Sequence, residues 1–143
     1  MSATVVKANN SQDVGALIGR ILMSAIFIWS GFAKLTTPAE MTAYFGGLGL
    51  PLPGVVWVVT VIWEFVGGLA LLIGIQTRLA ALVLGIWCIA TALVAHSNFA
   101  ELNMQIHFMK NLAMAGGFIF VALFGAGAYS WDEVRKVRKI STS

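Results

Sequence analysis

Charge is scarce in this chain. Only 10% of its 143 residues are Asp, Glu, Lys or Arg, against roughly 25% in an ordinary soluble domain. With 59% hydrophobic residues it carries four long apolar runs that a soluble core of this size is too small to cover. The single cysteine, Cys88, excludes an intramolecular disulfide and a Cys-x-x-Cys redox pair, and so excludes quinone reductases that pass electrons through paired cysteines. Basic residues do not alternate with aromatics, which excludes a nucleic-acid surface; the net charge of +3 comes from the C-terminal tail. No serine or cysteine lies in a nucleophile elbow or triad context, so no catalytic residue is assigned. Two histidines without a supporting carboxylate or cysteine cluster make a poor zinc or haem constellation, and no metal is expected.

What is present is membrane-spanning sequence. The stretch from Pro53 to Ile75 has about the ~20-residue length that crosses a bilayer, and its only charged residue, Glu64, lies near its middle. A carboxylate in hydrocarbon needs a partner inside a bundle. Arg20, Lys34, His96, His107 and Lys110, in or at the ends of three further apolar segments, are the candidates, with Asn111 beside them.

The expected fold is an all-α membrane protein: an antiparallel bundle of four transmembrane helices, with a short interfacial helix between helices 1 and 2. Residues 1–13 form a polar arm, 14–131 the four-helix domain and 132–143 a basic cytoplasmic tail. The first helix, about Val14 to Ala33, is too long for a signal peptide and carries Arg20, so it is read as retained. Arg20, Ser24, Phe27, Gly31 and Lys34 share one of its faces, and Ser11 or Asp13 can cap it. Thr37, Pro38 and Glu40 make a capping-box pattern for a short helix ending near Phe45. In the second helix Thr60, Glu64, Gly67 or Gly68, Leu71 and Gly74 face inward. The short turn Gln76-Thr77-Arg78 brings the third segment, from Leu79 to about Ala95, back antiparallel. The fourth begins near His107 and stays uncharged to Trp131, where Tyr129 and Trp131 form an interfacial aromatic belt.

Taken together, several segments resemble the DoxX family of small bacterial membrane proteins. They are Arg20, Ser30-Gly31-Phe32-Ala33-Lys34-Leu35, Glu64-Phe65-Val66-Gly67-Gly68, Gln76-Thr77-Arg78-Leu79-Ala80-Ala81, His96-Ser97-Asn98-Phe99, Phe108-Met109-Lys110-Asn111-Leu112 and Gly125-Ala126-Gly127-Ala128-Tyr129-Ser130. Their order and spacing cover nearly everything from Val14 to Asp132, and the inner-membrane branch of the family is the nearest likeness. The resemblance implies a four-helix inner-membrane protein. Some members are similar to the small subunit of a thiosulfate:quinone oxidoreductase or associate with redox enzymes, which makes a quinone the cofactor class to consider. Arg20, Lys34, Glu64, Arg78, His96, Lys110 and Asn111 match the family's signature positions, with no catalytic role attached.

Three functions fit these residues: an accessory or quinone-proximal component of a membrane redox or stress-response system, a small-molecule or anion transporter or binding protein, and a structural component without chemistry of its own. The partners expected are the lipid bilayer, redox-enzyme subunits or further copies of the chain. Glu64 serves equally as a packing anchor or as a proton-exchanging or ligand-binding carboxylate. Lys34 and Lys110 read as snorkelling cations, or with His96 and His107 as a basic mouth for a quinone carbonyl, a small anion or lipid headgroups. At ~1.5 Å per residue, Arg20 lies roughly 20 Å and Glu64 roughly 16 Å below the outer ends of their helices, so the two are expected to pair; otherwise Glu64 couples to Lys34 and Lys110. Lys7, Arg78, Arg135, Lys136, Arg138 and Lys139 fall at one end against Lys34 and Lys110 at the other, which puts both termini in the cytoplasm. A periplasm-active reporter is therefore expected to be silent when fused after Ser143 and active when inserted near Asn98; the reverse pattern inverts the orientation.

Overall fold

The computed structural model describes residues 10–141, and every regular element among them is helical. In chain order these are α1 (Asn10–Thr36), α2 (Pro38–Gly47), α3 (Pro53–Ile73), α4 (Thr77–Ala95), α5 (Leu102–Phe124) and α6 (Trp131–Ser141). Four of them, α1, α3, α4 and α5, are long and apolar enough to cross a membrane, with 27, 21, 19 and 23 residues. Because connections of a few residues join α3 to α4 and α4 to α5, neighbours run antiparallel. We call the end holding the α3–α4 turn and α6 the inner end, and the other the outer end.

The inward stripes follow the helical repeat. Arg20, Ser24, Phe27 and Gly31 are the buried residues of α1. In α3, Thr60, Glu64, Gly68 and Leu71 are buried, while Val58, Ile62 and Val66 are exposed to where lipid would lie. The core joins Phe27, Leu71, Leu84, Cys88 and Phe118, with the Phe27 and Phe118 rings 5.4 Å apart. Lipid tails are as apolar as these side chains, so close packing rather than exclusion from water must hold the helices together. It is tightest where α1 crosses α3. A Cβ on Gly31 would lie 2.5 Å from the Phe65 nitrogen and 2.8 Å from its Cα, and one on Gly68 would lie 3.1 Å from the Ile28 nitrogen.

Several boundaries differ from those read in the sequence. The polar arm is outside the described residues up to position 9, and from Asn10 onward it is the first part of α1. Ser11 and Asp13 therefore lie inside the helix. Asp13 accepts a hydrogen bond from the Ala128 nitrogen at 2.8 Å across the inner end. Thr37 does precede α2 with Pro38 in its first turn, but no capping box closes; its hydroxyl donates to the Ala33 carbonyl at 3.0 Å, because the nearest unsatisfied groups are the last carbonyls of α1. The fourth span starts at Leu102, before His107, and stops at Phe124. Gly125, at φ 85°, adopts a backbone that ends the helix there.

The inner end is closed by polar contacts among four segments. Asp132 accepts from the Gln76 and Thr77 nitrogens at 2.9 and 2.8 Å, capping α4, while its own nitrogen donates to the Gly74 carbonyl at 2.9 Å. Burial alone would push the Asp132 carboxyl up, but the two N–H bonds, together with Lys136, outweigh it and hold the group below its ordinary range.

The α1–α3 crossing yields a direct comparison. Gly31→Ala meets backbone that no rotamer change can move, and overpacking of this kind costs about 1–3 kcal/mol. Gly116→Ala, in α5, meets nothing within 4 Å and should be neutral or gain up to about 1 kcal/mol of helix propensity. Melting of the two variants in detergent is expected to separate them, with Gly31→Ala clearly below the parent.

Candidate functional site

Glu64 is buried at the middle of α3, where residues Ile62–Val66 form a single π-helical turn. In an uninterrupted α-helix Gly68 would sit roughly 80° around from Thr60; the wider turn takes up part of that drift and keeps Thr60, Glu64 and Gly68 toward α1. Turns of this type recur at functional positions because they aim one side chain at the expense of regular bonding.

The partner of Glu64 is Lys34. Its ammonium lies 2.6 Å from Oε2 and also donates to the Ser30 hydroxyl one turn earlier on α1. The Trp87 indole N–H of α4 donates to Oε1 at 3.1 Å, and Trp63 packs edge-on against Trp87 with ring centroids 5.1 Å apart. Lys34 is itself held in place, since its carbonyl accepts from the Trp57 indole at 2.8 Å. The carboxylate thus has a charged hydrogen bond on one oxygen and a neutral one on the other, as a buried ion requires.

Arg20 does not reach this site. Its guanidinium donates to the Leu71 and Leu72 carbonyls at 3.2 and 2.8 Å and to the Tyr129 carbonyl, so it binds the C-terminal end of α3, where the helix dipole favours a cation. The expected Arg20–Glu64 pair is therefore corrected, for a directional reason. Helical side chains lean toward the N-terminus of their helix. Since α1 runs from the inner end to the outer, Arg20 leans away from Glu64 and Lys34 leans down toward it.

The remaining predicted residues form a second polar group at the outer end. His96 follows the last residue of α4 and His107 is in the second turn of α5; their rings stack with centroids 5.0 Å apart and 22° between planes. Asn111 is buried and donates to the His107 carbonyl at 2.9 Å, while Lys110 is exposed. Burial pushes the His96 pKa down. The charges of His107, Lys110 and Lys34 add to this, against an opposing hydrogen bond with the Ala95 backbone. Its Nδ1 is buried, and no contact it makes has full hydrogen-bonding geometry. Among the described residues no three His, Cys, Asp or Glu side chains gather as metal ligands.

Sequence reasoning missed Ser30 and Trp87 as partners of the site. Both left a signal: Ser30 precedes Lys34 by four residues, and an indole N–H within an apolar run needs an acceptor.

This geometry sits within a known family. The DoxX family model matches residues 15–97, which include α2 through α4, all of α1 but its first five residues, and both Lys34 and Glu64. The chain belongs to the DoxX family. It is 43% identical to the inner membrane protein YqjF of Escherichia coli K12 over 123 residues, 86% of this chain and 93% of the relative. It is 32% identical to the inner membrane protein YphA of the same organism over 128 residues, 86% of this chain and 91% of that one. No solved structure shows a significant match. In this DoxX-family chain the family model thus ends at Ser97, one residue past His96, so α5, with His107, Lys110 and Asn111, lies beyond it.

The ion pair can be tested by a double-mutant cycle. Lys34→Met leaves the buried Glu64 charge without its counterion, at about 3–5 kcal/mol, Glu64→Gln leaves only the half-buried Lys34 and costs less, and the double variant is expected to recover part of the loss, with a coupling of about 1–3 kcal/mol. Arg20→Leu combined with Glu64→Gln is expected to be additive. Thermal unfolding in detergent measures both.

Proposed function

We propose that this DoxX-family protein is an accessory, quinone-proximal component of a redox or stress-response system of the bacterial inner membrane, with both termini in the cytoplasm. The names of its relatives and its four apolar helices support the membrane assignment. The observation that carries the redox reading is the stacked pair of His96 and His107, with the His96 Nδ1 buried and short of a well-formed hydrogen bond, at the same end as the Lys34–Glu64–Trp87 group.

A buried nitrogen without a well-formed hydrogen bond forfeits part of the about 1–3 kcal/mol that such a bond protects, and a ligand that offers a better partner recovers it. A quinone head group suits this place. It is a flat ring with a carbonyl at each edge, which can accept from an imidazole N–H, and its reduced form can donate to the same nitrogen when the tautomer is reversed. His96 and His107 carry side chains of the acid–base type that quinone chemistry uses, whereas electrons would come from a partner subunit.

Native mass spectrometry of the gently extracted protein tests this reading. A co-purifying quinone or redox subunit is expected, with the quinone lost from His96→Ala. A spectrum with lipid alone, unchanged by that substitution, refutes the quinone-proximal role and leaves the outer-end group as packing.

A further inference from the structure

The basic tail is a helix with two faces. Trp131, Val134, Val137 and Ile140 recur every three residues along α6, and all four are exposed. At ~100° per residue Val134 and Val137 centre an apolar arc, while Arg135 and Lys139 centre a basic one on the order of 150° away, flanked by Arg138 and Lys136. Arg138 also sits 6.0 Å from the Trp131 ring centroid, an arrangement suited to the boundary between water and lipid.

An 11-residue helix is marginal in isolation, and this one is fastened at its start. The Asp132 bonds to Gly74, Gln76 and Thr77 described above fix its first turn against the end of the spans, and the Ser130 hydroxyl accepts from the Glu133 nitrogen at 3.3 Å. Between α6 and the inner ends of the spans lies an open groove of about 1130 Å³, lined by Arg78, Arg135, Lys136, Arg138 and Lys139 among others. Three acids also border it, Asp13, Asp132 and Glu133, the last paired with Lys136 at 2.8 Å, so basic side chains outnumber acidic ones five to three.

We propose that α6 is an interfacial helix that binds anionic phospholipid, its basic face and Arg78 meeting the headgroup phosphates while Val134, Val137 and Ile140 enter the acyl boundary. Charge complementarity selects this occupant. A second copy docked through the same face would set two basic helices together, whereas an anionic leaflet supplies both the negative charge and the apolar layer that this helix needs. The fastening at Asp132 fixes where the helix begins, at the end of the spans, so no separate recruitment step is required.

The test is an environment-sensitive label on the full-length protein carrying Cys88→Ala and Val137→Cys, reconstituted into vesicles of phosphatidylcholine with increasing phosphatidylglycerol. Emission is expected to shift to the blue as phosphatidylglycerol rises, and the shift should weaken in high salt. Each basic side chain near an anionic surface is worth roughly a fivefold preference. Arg135→Gln with Lys139→Gln should therefore lower the lipid-dependent partition of the label roughly 25-fold. Should Cys88→Ala fail to fold, Val134→Cys with the fully buried Cys88 retained gives the same readout. A label that stays water-exposed at every lipid composition overturns the proposal. So does a shift that follows protein density, which assigns the face to a second copy, or one that needs an added acidic soluble protein.

Discussion

A carboxylate in the middle of a membrane-spanning helix is the constraint from which the outer half of this protein follows. Glu64 cannot face lipid without a cation, and the cation available is a lysine on the neighbouring helix whose side chain leans toward it. Bringing the two within 2.6 Å requires α1 and α3 to be close, and Gly31 against the Phe65 backbone permits that closeness. The π turn holds Glu64 on the shared face, and Trp87 supplies the second hydrogen bond from α4. Ion pair, glycine contact and wide turn are thus one arrangement, distributed over three helices.

The inner end solves a different problem with the same kind of chemistry. The last carbonyls of α3 and the first amides of α4 would be left without partners at a turn of three residues, Gly74 to Gln76. Arg20 satisfies the carbonyls and Asp132 the amides. Gly74, at φ 77°, leaves room for both, since a Cβ there would lie 2.5 Å from Ser130 Cβ and 2.7 Å from an Arg20 nitrogen. The residues that fasten this turn come from α1 and from the start of α6, so two segments distant in the sequence meet where the spans stop. The protein consequently has two polar layers, one inside the inner end built on Arg20 and Asp132 and one toward the outer end built on Glu64, Lys34 and the stacked histidines.

The sequence by itself determined the features that depend on composition and period. Four apolar runs of spanning length, the inward stripe from Arg20 to Gly31, the face shared by Thr60, Glu64, Gly68 and Leu71, and the isolation of one carboxylate in hydrocarbon were all legible, because a helix in lipid must satisfy its own backbone and turn its few polar residues inward. Tertiary structure alone decided which cation Glu64 receives. Depth counted along the helices favoured Arg20; the lean of the side chains, and the α3 carbonyls waiting at the inner end, sent Arg20 one way and Lys34 the other. The use of Asp132 as a cap for a helix 55 residues earlier and the fixed start of α6 were equally out of reach. Each joins residues far apart in the chain, and no local pattern records which distant group will satisfy a buried donor or acceptor.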